Sequence, residues 1–179
     1  MNLFATFPVD EVTVHDIAGA VGMTPAAVYY HFASKEQILV EGLTRFTDEL
    51  LDEVRAGIPA KGDTAGIARL ITDLAGWARR NRSFATVYFV NSVGLNPHVE
   101  ARRRSTRIEL IELLQQAARN VHGRLRPAQA AVMAVALVSL LETAIAANLS
   151  QDQGYKGLGA KRFSTEGEML ANRIAGIAA

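Results

Sequence analysis

The chain has 179 residues, room for one or two domains with a buried core, and a net charge of +1 that argues neither for nor against nucleic acid. It contains no cysteine, which excludes disulfides, thiolate nucleophiles and zinc–thiolate sites and is compatible with a reducing cytoplasm. Met1 to Pro8 is too short for a secretory signal and lacks a basic start.

Met1 to Phe7 reads as the last turns of a helix. Val12 to Glu41 then predicts two short helices, a tight turn between them, and the start of a longer helix. Thr13 is a cap for the first, with Asp16 placed to complement its dipole. Ile17, Ala18 and Val21 recur at helical spacing and predict a buried stripe. Gly22 falls where the chain must reverse, since glycine tolerates positive φ. Thr24 caps the second helix and Pro25 opens it, where a missing N–H costs nothing. Val28 and Phe32 should face the core, leaving Ala26, Ala27, Tyr29, Tyr30 and His31 outward. Ser34 to Gln37 is a capping-box pattern for the third helix.

A helix, a glycine turn and a short helix with exposed small and aromatic residues is the helix-turn-helix layout, whose second helix enters the DNA major groove. Small side chains there let the backbone approach base edges and thymine methyls. Tyrosine hydroxyls, a histidine and a lysine can hold phosphates. The DNA-facing set is therefore Thr13, Thr24, Ala26, Ala27, Tyr29, Tyr30, His31 and Lys35.

The stretch also resembles the TetR family of one-component transcriptional repressors. The resemblance is carried by Thr13 to Ala18, Val21 to Thr24, Val28 to Phe32 and Ser34 to Glu36, and the run VYYHFASKE is its most specific part. It implies that Tyr29, Tyr30 and His31 match the family's DNA-contacting positions and Lys35 its phosphate-binding lysine. It implies also about three further helical turns ahead of Met1. The motif covers the first quarter of the chain; the rest matches in length and helical pattern. Within Met1 to Lys35 the formal charges are Asp10, Glu11, Asp16 and Lys35, a mildly acidic balance for a DNA-binding surface.

The third helix should run from Lys35 to about Gly57, with Ile38, Leu39, Leu43, Phe46, Leu50, Leu51 and Val54 in period. Ile58 to Gly62 is a break, after which Asp63 or Thr64 can cap a helix to Arg80. Further helices are expected from Ser83 to Val93, from Asn96–Pro97 to His122, and from Arg126–Pro127 to Asn148. Ser150 to Phe163 reads as a loop, and Ser164 as the cap of a last helix to Ile177. No strand pattern or repeat occurs. The expectation is all-α: a helix-turn-helix headpiece over residues 1–45 and a regulatory and dimerisation bundle over 46–179, with roughly nine helices.

Pro127 to Leu149 is apolar over a membrane-like length, but alanine-dominated and interrupted by Gln129, Glu142 and Asn148, so it is expected to be buried in protein. In the resembling family the last two helices pair with those of a second subunit, and Ala134, Ala136, Ala144 and Ala147 would allow close approach. Arg103 and Arg107 fall on the inward extension of the stripe Leu110, Leu114, Ala117 and Val121. A buried arginine requires either Glu142 or an anionic ligand. Trp77, Tyr88, Leu110, Leu114, Leu137 and Leu141 are candidate walls of an apolar effector pocket, with Asn91 and Arg107 as polar anchors and ordinary packing as the alternative. His15, His31, His98 and His122 lack metal-ligand spacing, and no nucleophile, P-loop or dinucleotide pattern occurs. The resulting expectation is a homodimeric cytoplasmic repressor of duplex DNA, without cofactor, released by a small, mostly apolar effector. The rivals are a helical interaction protein without DNA binding and a bundle enzyme using Glu142, Arg107 and Tyr88.

Overall fold

The computed structural model describes residues 1–149, 165–167, 169–170 and 173–174, all of whose regular structure is helical. The expected loop from Ser150 to Phe163 and the Ser164 cap lie outside the described residues. The chain begins with α1 (Asn2–Thr6), α2 (Val14–Ala20), α3 (Pro25–His31) and the long α4 (Lys35–Ala56). It continues through α5 (Gly66–Arg80), α6 (Arg82–Thr86), a π-helical turn Val87–Asn91, α7 (Pro97–Val121) and α8 (Pro127–Leu149).

Side-chain caps set several of these starts. The Ser34 hydroxyl accepts from the Gln37 N–H at 3.2 Å, and the Gln37 amide oxygen returns a bond to the Ala33 N–H at 2.7 Å. Asn96 accepts from Val99 N–H at 2.9 Å ahead of Pro97, which fixes α7 as expected. The start of α5 differs. Ala65 precedes it without a side-chain cap, because the Asp63 carboxylate pairs with Arg69 instead. Gly62, at φ +78°, turns the chain between α4 and α5, and α7 holds that turn from below. Asn120 donates to the Pro59 carbonyl and accepts from the Gly62 N–H, both at 2.9 Å.

One core runs from Phe4 to Leu149. Its centre is the α4 stripe Leu39, Leu43, Phe46, Leu50 and Val54, all buried at helical spacing. Phe46 stacks on Trp77 (5.0 Å between centroids) and Phe84 (6.0 Å), and lies against Tyr88 (5.6 Å) and Phe89 (6.4 Å). Polar bonds fasten α4 to α7. Arg102 donates to the Thr47 hydroxyl at 2.6 Å and pairs with Asp48, while Arg55 pairs with Glu109. The two links have nearly equal sequence offsets, 55 and 54 residues, so α4 and α7 run in the same direction.

The π turn replaces the regular helix expected to Val93. Its wide ring is closed by the Ser92 N–H on the Val87 carbonyl (2.8 Å). The alanines of α8 also differ from expectation. Ala134, Ala144 and Ala147 are buried inside the subunit, and Ala136 is half-buried. α8 is long and apolar enough to cross a membrane by length and composition, with half of its most apolar window buried. Outward it presents Val132 (71% exposed) and Val135 (44%).

Because Phe46 is buried against rings from α5, α6 and the π turn, Phe46→Ala should lower unfolding stability by about 3–5 kcal/mol, and Phe46→Leu by clearly less. Urea unfolding followed by helical circular dichroism measures both. Equal small losses would show that the stack does not carry the core.

Candidate nucleic-acid interface

The helix pair is built as its residues dictate. The Thr13 hydroxyl accepts from the Asp16 N–H at 3.2 Å, and the Asp16 carboxylate accepts from the Thr13 N–H (2.9 Å) and hydroxyl (2.6 Å). This is a full reciprocal capping box with aspartate in the usual glutamate place. Asp16 thus both complements the helix dipole, as expected, and closes the box. The Thr13 hydroxyl, and then its N–H, hold the Asp16 carboxyl below its ordinary pKa. α2 ends with Met23 N–H on the Ala18 carbonyl (2.9 Å), and Gly22 reverses the chain at φ +68°. Thr24 caps α3 by accepting from the Ala27 N–H at 3.2 Å, with Pro25 as the first helical residue.

Val28 anchors α3, at 4% exposure, and Phe32 is half-buried. The opposite face carries Ala26, Tyr29 (57% exposed), Tyr30 (86%) and His31, with Ala27 half-buried at its edge. The Tyr30 and His31 rings meet edge to face at 5.1 Å. Thr13 and Thr24 are exposed at the helix starts. Val21 departs from expectation. It is not part of a buried stripe but 61% exposed, on the rim of a shallow groove with Ile17 and Ile38. It follows the last helical residue, where the turn swings the side chain off the stripe. Met23, after the turn, is likewise uncovered (41% exposed). Lys35 is half-buried, and its Nζ donates to the carbonyls of Val9, Asp10 and Val12.

Five of the residues expected to line an effector pocket, Trp77, Tyr88, Leu110, Leu114 and Leu137, pack in the core, each at most 5% exposed. Burial pushes the Tyr88 phenol above its ordinary pKa, against the pull of Arg103, whose guanidinium lies 4.9 Å over the ring and bonds the Tyr88 carbonyl. Asn91 donates backward to the carbonyls of Phe4 (2.9 Å) and Ala5 (3.4 Å), at the end of α1. Arg107 pairs with Glu142 and bonds the Ser139 hydroxyl at 2.9 Å, so the carboxylate alternative holds. Leu141 borders open space. It lines an apolar cleft between α5, α8 and residue 167, together with Ile71, Ala75, Ala78 and Ile145. The space in it open to water is about 20 Å³.

An all-helical chain with a capped, glycine-turned helix pair and an outward aromatic face on the second helix is a helix-turn-helix protein. Residues 1–41 match the family described as bacterial regulatory proteins, tetR family. A stretch of 72 residues, 40% of this chain, is 37% identical to the HTH-type transcriptional repressor KstR2 of Rhodococcus jostii (strain RHA1). The match spans about a third of that repressor's length (35%). The fold is similar to the crystal structure of Mycobacterium smegmatis AmtR, with a TM-score of 0.60 and 22% identity over 90% of this chain and 81% of that one. The first 41 residues are thus similar to the helix-turn-helix region of the TetR family, on an all-helical fold similar to that of a solved relative.

Two glycines test the turn. Gly22→Ala should destabilise by about 1–2 kcal/mol, because alanine disfavours the left-handed region. Gly19, inside α2 with open space around it, should gain roughly 0.5–1 kcal/mol as alanine. Opposite shifts in urea midpoint are the expected outcome; a neutral Gly22→Ala would mean that the turn is not held at positive φ.

Proposed function

We propose that this chain is a cytoplasmic repressor that binds operator DNA as a homodimer and releases it when a small, mostly apolar molecule binds among its C-terminal helices. The observation that carries the DNA reading is the outward face of α3. Tyr30 is 86% exposed beside Tyr29 and His31, and an aromatic ring that free of its own protein suits an external surface. Ala26 at the helix start lets the backbone come close to base edges, while the tyrosine and Thr24 hydroxyls reach phosphates. Tyr30→Ala should therefore weaken binding to duplex DNA from upstream of its own gene by about tenfold, the scale of 1.4 kcal/mol, without changing the melting temperature. Mobility-shift titration measures it. Equal affinity for parent and mutant would remove α3 as the reading helix.

Dimerisation is supported by apolar surface that one subunit leaves open. Val132 and Val135 on α8, and Met169 (46% exposed) and Leu170 (49%), are uncovered side chains of the last two helical stretches. Two recognition helices about 34–36 Å apart would then meet a palindromic site. Val132→Glu should yield monomers by light scattering while keeping the helical spectrum. An unchanged oligomer would put the contact elsewhere. Ala144 is not a suitable probe, because it is 7% exposed beside Gly167 and a charge there would damage the subunit itself.

For the effector, the cleft between α5 and α8 is the candidate entry. Its walls are apolar, with Asn148 and Arg79 among its polar groups. Binding there would select a conformer in which α5 and α8 stand further apart. A second reading, an interaction protein that keeps the fold without DNA binding, is favoured by one observation. Lys35 is the sole lysine or arginine in residues 1–41, and its ammonium faces backbone carbonyls. The same titration separates the two, since that reading predicts no shift at any protein concentration.

A further inference from the structure

Lys35 is the first residue of α4, a position where a helix disfavours positive charge, because the free N–H groups of its first turn already carry partial positive charge. An ammonium kept there needs acceptors. Lys35 Nζ donates to the carbonyls of Val9 at 2.8 Å, Asp10 at 2.9 Å and Val12 at 2.8 Å. An ammonium has three protons, so all are committed. The carbonyls belong to the connection between α1 and α2, which is anchored by the buried side chains of Val9 and Val12. Thr13, the next residue, begins the α2 capping box.

This gives the helix pair two attachments to α4. One is covalent, through Phe32 to Ser34 at the end of α3. The other is the Lys35 clamp, which grips the residues leading into α2, and α2 packs on α3. A body held at one point can swivel; held at two, it keeps its angle. We propose that Lys35 is a positioning residue for the recognition helix: it contacts no phosphate, and it fixes the orientation of α2 and α3 against α4. The consequence for DNA rests on the proposed operator binding, but the clamp is a property of the free protein. Arginine cannot substitute, because a planar fork does not converge on three carbonyls around one point.

The test uses the full chain and the DNA duplex from upstream of its own gene. In the free protein, the Lys35 ammonium should give a slowly exchanging NMR signal coupled to the carbonyls of residues 9, 10 and 12. That signal should persist when the duplex is added. Lys35→Met and Lys35→Arg should both speed hydrogen exchange at residues 12–16. Both should also weaken duplex binding by about tenfold at every salt concentration, leaving the slope of log K against log salt unchanged. A slope reduced by about 0.9 in Lys35→Met and restored in Lys35→Arg would overturn the proposal, because that is the signature of one phosphate contact. So would an ammonium signal that leaves the carbonyls when DNA binds. Should either variant melt too low to titrate, the ammonium spectra of the parent, free and with duplex, decide. If the parent itself does not bind the duplex, the DNA reading and the positioning role fall together. The free-protein signal then still shows whether the clamp exists.

Discussion

Phe46 is the residue on which the rest of the molecule is assembled. It lies on α4, the helix that begins at the recognition pair and ends among the C-terminal helices. Its ring is enclosed by Trp77 from α5, Phe84 from α6, and Tyr88 and Phe89 from the π turn. Stacked rings in a core packed to crystal-like density have few alternative arrangements. The position of α4, and with it the placement of α3, is therefore set by helices that contribute nothing to the outward face. Arg102 of α7 bonds Thr47 of α4, and Arg55 of α4 pairs with Glu109 of α7, so the same helix carries polar ties at its surface.

The π turn adds a second tie. Inserting one extra residue into a helical ring shifts every later side chain around the axis. Here it aims Asn91 back toward α1, where the Phe4 and Ala5 carbonyls are left over at a helix end. Arg103 holds the turn open at the Tyr88 carbonyl, which Ser92 Oγ also bonds at 3.1 Å. α1 is thus attached to the C-terminal helices and, through the residues after it, to the start of α4 by Lys35. Headpiece and bundle share a continuous set of contacts rather than a hinge.

What was legible in the sequence was local. Thr13, Thr24, Ser34 and Asn96 cap helices because a short polar side chain before an apolar period has few other uses, and Gly22 and Gly62 turn the chain where it must reverse. What was not legible depends on partners distant in sequence. Asn91 looked like a pocket amide on an apolar helix, yet its acceptors lie 86 and 87 residues away. Trp77 and Tyr88 looked equally suited to a pocket wall or a core, and periodicity cannot tell a wall from a core, since both are inward. The pairing of Arg107 with Glu142 was one of two stated alternatives, decided only by which helices adjoin. Val21 kept the helical period one residue beyond the point where the helix stops.

The placement of the cleft bears on how the proposed effector would act. α5 has two working faces. Ile71, Ala75 and Ala78 line the cleft, whereas Trp77, on the adjoining side, stacks on Phe46. A molecule that wedges α5 away from α8 would rotate or translate α5. Trp77 moves with α5, and a ring stacked at 5.0 Å cannot be displaced without moving Phe46 or losing the contact. Either outcome reaches α4, whose first residue clamps the connection before α2. The small side chains along the cleft are what make this possible: Ala75, Ala78 and Ala144 leave space beside a core that is filled elsewhere by leucine and aromatics. On the proposed reading, the rings around Phe46 would carry the movement to α4, while the alanines among Ile71, Leu140, Leu141 and Ile145 would give a ligand its first foothold.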